Sequence, residues 1–268
     1  MEKLISLKTL NVLSDLQIIL VSMTATCLYA VLIYGLLYLF LSRRGLPSDN
    51  YFGVTIVGTM TSLNAVLFAF VLIQSIQAFK NAEHLVLREV ASLDLVYARS
   101  RYLPVEKADS IQFNLKNYLD HFRSGWHYMI DGKSIKDGEQ LFNNLLNSIH
   151  NTATDNKIHP QISRELMVSF SDITKTRQER RDIAGKYTDK VYYRAVIILL
   201  TIHILQFFLL TNKNLYSLFI LCIHQAALGV LLGLIIIYDH PFQGDTSITT
   251  EPYILLYDKI SNENESNP

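Results

Sequence analysis

Hydrophobic positions along this chain come in long blocks. Runs without a charged residue cover 16–42, 50–79, 195–212 and 214–238. Each is near or above the roughly 18–20 residues that a helix needs to cross a bilayer. The pattern predicts four transmembrane helices and an all-α fold. The second block continues past the point where charge resumes. After Thr59 there is no glycine or proline until Pro104, and a helical apolar stripe persists through Phe79, Val86, Val90, Leu93 and Tyr97 while Lys80, Glu83, Arg88 and Glu89 appear beside it. The spacing predicts one rod from about Gly53 to Leu103, dry in its first half and part of a soluble bundle in its second.

Between the second and third spans the chain reads as a folded helical domain over 80–190. Pro104 ends the rod. A helix follows with Ile111, Leu115, Tyr118, Phe122 and Trp126 on one face, predicted to stop at Asp131-Gly132. A shorter helix carries Phe142, Leu145 and Ile149. A polar loop over Thr152–Pro160 leads to a last helix, with Ile162, Leu166, Phe170 and Ile173 inward, that feeds into span three. Spans two and three are therefore expected to extend into a cytoplasmic helical bundle. The division is 1–79 for a lead-in and spans one and two, 80–190 for the cytoplasmic domain, 191–238 for spans three and four, and 239–268 for a cytoplasmic tail. That tail ends in NENESNP, which reads as disordered.

Composition agrees with a membrane protein: 50% of residues are hydrophobic, 18% are charged and the mean hydropathy is +0.20, against about 25% charge in soluble domains. The first block is too long for a cleaved leader and Arg43-Arg44 follows it directly. The net charge of +0 argues against a nucleic-acid partner. Its distribution is informative: only Arg43, Arg44 and Lys213 fall in the short loops of one side, whereas Lys3, Lys8, Lys80, Arg88, Lys190 and Arg194 flank the spans on the other. The positive-inside bias puts both termini and the 80–190 segment in the cytoplasm, with the protein multi-pass in the bacterial inner (plasma) membrane. Cys27 and Cys222 lie inside spans and read as small packing residues, not as a disulfide or metal pair.

Span two has two faces. Thr55, Gly58, Ser62, Ala65 and Ala69 form a small-residue stripe that suits close helix packing. Asn64, Phe68, Val71 and Ser75 form a second stripe, which either lines a pore with a hydrophobic constriction or packs against neighbouring helices. The intramembrane polar residues Asn64, Gln74, His203, Gln206, His224 and Gln225 similarly form an ion path or hydrogen-bond between helices. In span four, Gln225, Gly229 and Gly233 share a face and predict a close helix contact. The basic run containing Arg177, Arg180, Arg181 and Lys186 is either a solvated face touching lipid headgroups or an anion-attracting vestibule. Glu83, His84 and Glu89, or Asp239 and His240, do not assemble into metal or catalytic spacing, and no Walker or HExxH motif occurs. Neither enzymatic chemistry, a metal nor a cofactor is expected.

The arrangement resembles the bestrophin-like family of four-span membrane proteins. The residues that carry the resemblance are Glu89 in LREVASL, Tyr97 and Arg99, Leu103-Pro104, Tyr118 and Trp126 in YLDHFRSGW, the TRQERR run at 176–181, and Asp239, Pro241, Phe242 and Gly244 in DHPFQG. Val90 and Gly125 depart from the family pattern. The resemblance implies kinship with bestrophins, pentameric ion channels with a pore along the second span. The leading expectation is thus a homo-oligomeric ion channel, weakly favouring anions, with Asn64, Phe68 and Val71 lining the pore. Its partners would be lipid, further copies of itself and inorganic ions. The alternative is a non-conducting scaffold or sensor whose cytoplasmic bundle binds a protein partner.

Overall fold

The structure, a computed structural model, describes residues 13–41, 50–126, 132–185, 190–212 and 214–266. The expected lead-in over 1–12, the Arg43-Arg44 loop, the join between the last bundle helix and span three, Lys186 and Lys213 lie outside the described residues. Eight α-helices are described: α1 (Asp15–Leu41), α2 (Asn50–Ser100), α3 (Val105–Asp120), α4 (Gly132–Ala153), α5 (Pro160–Gly185), α6 (Lys190–Leu210), α7 (Leu215–Tyr238) and α8 (Glu251–Ser266). There is no strand among the described residues. Four helices are long and apolar enough to cross a membrane, within Asp15–Phe40, Thr55–Ser100, Val191–Leu210 and Leu215–Tyr238.

The rod is real. α2 runs unbroken for 51 residues, because nothing between Thr59 and Leu103 interrupts the i to i−4 ladder. The chain divides into two compact units: the residues up to Phe79 with Lys186–Thr246, and Lys80–Gly185 with Ser247–Pro268. α2 contributes to both. The tail, expected as one segment over 239–268, is split between them.

In the first unit α1 and α7 lie against each other. A Cβ on Gly229 would meet the Thr26 hydroxyl and come within 2.7 Å of the Met23 Cα, and one on Gly233 would lie 2.9 Å from the Ile19 Cα. The expected GxxxG contact is therefore present, with α1 as the partner. The Thr26 hydroxyl donates to the Gln225 carbonyl at 2.8 Å across the same contact. Below Tyr238 the DHPFQG turn folds back: His240 Nδ1 lies 2.8 Å from the Ile236 carbonyl, and Gly244 adopts φ +82°, where a side chain would be strained. The turn brings Asp245 to the start of α1, whose Asp15 N–H donates to its carboxylate at 3.3 Å. Phe242 of the same turn is buried, and the Tyr193 hydroxyl donates to Asp239 at 2.8 Å.

In the second unit two expectations are corrected. α3 ends at Asp120, not at 131–132. The chain tightens into a 3-10 turn over His121–Ser124, and Gly125 at φ +78° reverses it so that Trp126 returns to the core. The C-terminal residues are not disordered through NENES: α8 continues to Ser266. The cause is Glu263, which accepts from the Tyr97 hydroxyl at 3.0 Å and pairs with Arg101. Tyr253 of α8 stacks on Phe122 at 3.7 Å with the rings 2° from parallel.

Candidate functional site

The burial pattern of α2 decides which of its stripes faces where. Asn64, Phe68 and Ser75 are buried inside the first unit, at 5%, 1% and 3% exposure, while Val71 is half-buried. Phe68 packs in a cluster with Val196, Leu200, Leu228 and Ile235, and Val71 lies against it. Thr55, Gly58, Ser62, Ala65 and Ala69 are exposed. Within the subunit, Asn64, Phe68 and Val71 thus lie on the side of α2 that meets α6 and α7, while the small stripe is uncovered together with Leu63, Val66 and Phe70. Sequence spacing defined both stripes but carried no sign to say which was inside. The hydroxyls of the open stripe are satisfied locally, Thr59 to the Thr55 carbonyl at 3.0 Å and Ser62 to the Gly58 carbonyl at 3.1 Å, so the face needs no polar neighbour.

A polar cluster lies between α6 and α7. His203 is fully buried, and neither of its ring nitrogens has a hydrogen-bond partner among the described residues. Its ring lies edge-on to that of His224, with centroids 6.0 Å apart. His224 in turn lines a cavity of about 530 Å³ with Thr61 of α2, Phe207 of α6 and Ser217 of α7. Thr211, Asn212 and Asn214 also line the cavity. Gln225, also fully buried, has an amide without a partner among the described residues.

Two arginines of the basic run, Arg177 and Arg180, are internal. Arg180 and Glu89 are both 0% exposed and pair at 2.8 Å. The second Glu89 oxygen accepts from the Tyr118 hydroxyl at 2.6 Å. The Arg180 guanidinium also lies 5.3 Å from the Trp126 ring, and the Trp126 indole donates to the Ile248 carbonyl at 2.5 Å. Arg177 is buried, stacked 3.9 Å over Phe142 and donating to the Gly138 carbonyl. Arg181 pairs with Glu139, whose carboxyl that hydrogen bond holds below the usual carboxylate range. Arg177 and Arg180 are thus buried with partners, as a buried guanidinium requires, while the Arg181–Glu139 pair stays part-exposed. Burial also holds the His121 imidazole of this unit below its ordinary range, opposed by Asp137 and reinforced by Arg177. The resemblance residues Glu89, Trp126, Asp239, Pro241, Phe242 and Gly244 are thus packing and turn positions in the two units. Among the described residues no group of three or more His, Cys, Asp or Glu side chains is placed to hold a metal.

Four membrane-length helices, the second continuous into a helical unit, define an all-helical integral membrane protein. The chain belongs to the bestrophin-like family: the Bestrophin-like domain matches residues 19–253. No curated protein matches it. Solved structures share the fold at low identity. A variant of a bacterial bestrophin homologue from Klebsiella pneumoniae superposes with TM-score 0.66 at 11% identity, covering 92% of this chain and 98% of that one. A second variant of that homologue gives 0.59 at 13%, covering 91% and 98%. A crystal structure described only as a membrane protein variant gives 0.68 at 14%, covering 93% and 100%.

Proposed function

We propose that the chain is the subunit of a homo-oligomeric ion channel, with the small face of α2 lining the path. One observation carries the reading. In a family named for bestrophins, the second span leaves Thr55, Gly58, Ser62, Ala65 and Ala69 uncovered within its own unit, although small residues pack well against other helices. A four-span subunit encloses a path only by gathering copies around an axis, and a pentamer is the assembly the resemblance implies. Both termini and the second unit are cytoplasmic in this reading, as the positive-inside bias requires. With Arg177 and Arg180 buried and paired and Arg181 paired with Glu139, a preference for anions rests on the family resemblance.

The test is native mass spectrometry of the protein in mild detergent, together with halide and potassium flux into liposomes. A ring of copies with flux of either ion above empty liposomes supports the proposal. A monomer or dimer without flux overturns it and favours a scaffold.

A further inference from the structure

We infer that the cavity beside His224 is an aqueous crevice, entered from one membrane face only, that carries water and protons to a binding site made by His224 and His203. The reading does not depend on conduction. Along each contributing helix the residues change in the same order with depth. On α2, Thr61 lines the cavity, Asn64 lies one turn further in and is buried, and Phe68 one turn beyond that is sealed. On α6, Phe207 lines the cavity, His203 is one turn deeper, and Leu200 follows in the Phe68 cluster. On α7, His224 is the deepest lining residue and Leu228, one turn on, belongs to the same apolar cluster. The crevice therefore has a mixed wall, in which Thr61, Ser217 and Asn214 stand among Val57, Phe207 and Ile220, with a histidine floor and an apolar cluster beneath.

An imidazole carries one donor and one acceptor when neutral, and leaving both unmade in an apolar site costs several kcal/mol. His203 has neither made by the described residues, and the His224 ring of α7, 6.0 Å away between centroids, lines the cavity. Water arriving past His224 supplies both bonds, and the cavity has ample room for it. The same water wire brings a proton. Other titratable groups on these helices are Tyr216, which lines the cavity with His224, Tyr29 and Tyr34 of α1, which pack in the cluster of Ile204 and Phe207, and Cys27 and Cys222, joined where the Cys27 thiol donates to the Cys222 carbonyl; the blocks 16–42, 50–79, 195–212 and 214–238 hold no charged residue. A proton taken up there meets no carboxylate within the spans, so it is held by hydration and by sharing between the two rings.

The experiment is ¹⁵N-histidine NMR of the full chain in nanodiscs, with the two rings assigned through His203→Gln and His224→Gln. The expected result is magnetisation exchange between water and both rings, and a joint shift of their nitrogens toward imidazolium values as pH is lowered from 8 to 4.5. Replacing His224 by leucine is expected to slow water exchange at His203 at least tenfold. Independently, Thr61→Cys in a Cys27→Ala, Cys222→Ala background is expected to react with small charged thiol reagents in detergent micelles. A His203 ring that exchanges no protons with water over hours, or a Thr61→Cys thiol that stays unlabelled, overturns the inference.

Discussion

Arg180 of α5 and Glu89 of α2 form an ion pair at 2.8 Å with both side chains fully buried. The pair joins two helices far apart in sequence, and Tyr118 of α3 adds its hydroxyl to the same carboxylate. Removing one partner leaves an uncompensated charge, which costs about 3–5 kcal/mol. Glu89→Gln and Arg180→Met are each expected to destabilise the protein by that order, and Glu89→Met with Arg180→Met together by much less. Trp126, the single tryptophan, lies against Arg180 and reports the transition by fluorescence during thermal unfolding. A double variant as unstable as the worse single one contradicts this.

Phe68 and Ala65 separate the two faces of α2. Phe68 fills its own unit's core, so Phe68→Ala opens a cavity worth about 3 kcal/mol and is expected to lower the melting temperature without raising flux. Ala65 is on the open face, so Ala65→Phe is expected to reduce liposome flux severalfold in a subunit that still folds. A conductance gain in Phe68→Ala would restore it as a gate.

Gly229 is close to the backbone of α1 at Met23. Gly229→Ala forces α1 and α7 apart and is expected to cost about 1–3 kcal/mol. Gly35 has nothing within 4 Å of an added Cβ, and Gly35→Ala is expected to melt at or slightly above the parent temperature. Melting curves in the same detergent compare the two.

His121 makes the second unit sensitive to acid. Burial depresses its folded-state pKa, so the unfolded chain, titrating near about 6.5, binds more protons than the folded one as pH falls. Stability contributed by the neutral ring is complete above that pH and is lost below it. Melting followed at Trp126 is expected to drop between pH 7.5 and 5.5, and to drop less in His121→Gln. Equal slopes in the two proteins would assign the acid sensitivity elsewhere.

Much of the helical architecture is legible in the amino-acid order. The spans followed from uncharged length, and the unbroken α2 from the absence of helix breakers. The Gly229–Gly233 contact was visible as small residues one turn apart on one face. Less legible was the end of α3, where a glycine in the left-handed region mattered more than the apolar periodicity that continues to Trp126. The helical C-terminus was also missed. NENES has weak helix preference by itself, and Tyr97 of α2 and Arg101 just beyond its end give Glu263 the partners that order it.

What the amino-acid order determined by itself is the set of helices, which of them are dry enough for lipid, and the two stripes on α2, because these depend on local periodicity and solvation alone. What only the tertiary structure decided is which stripe lies inside and which charges are free. Phe68 went inward and Ala65 outward because α6 and α7 offer contact area on one side only. Arg177 and Arg180 became internal because their partners Gly138 and Glu89 come from other helices. Such pairings depend on contacts between residues distant in sequence, which local periodicity does not record.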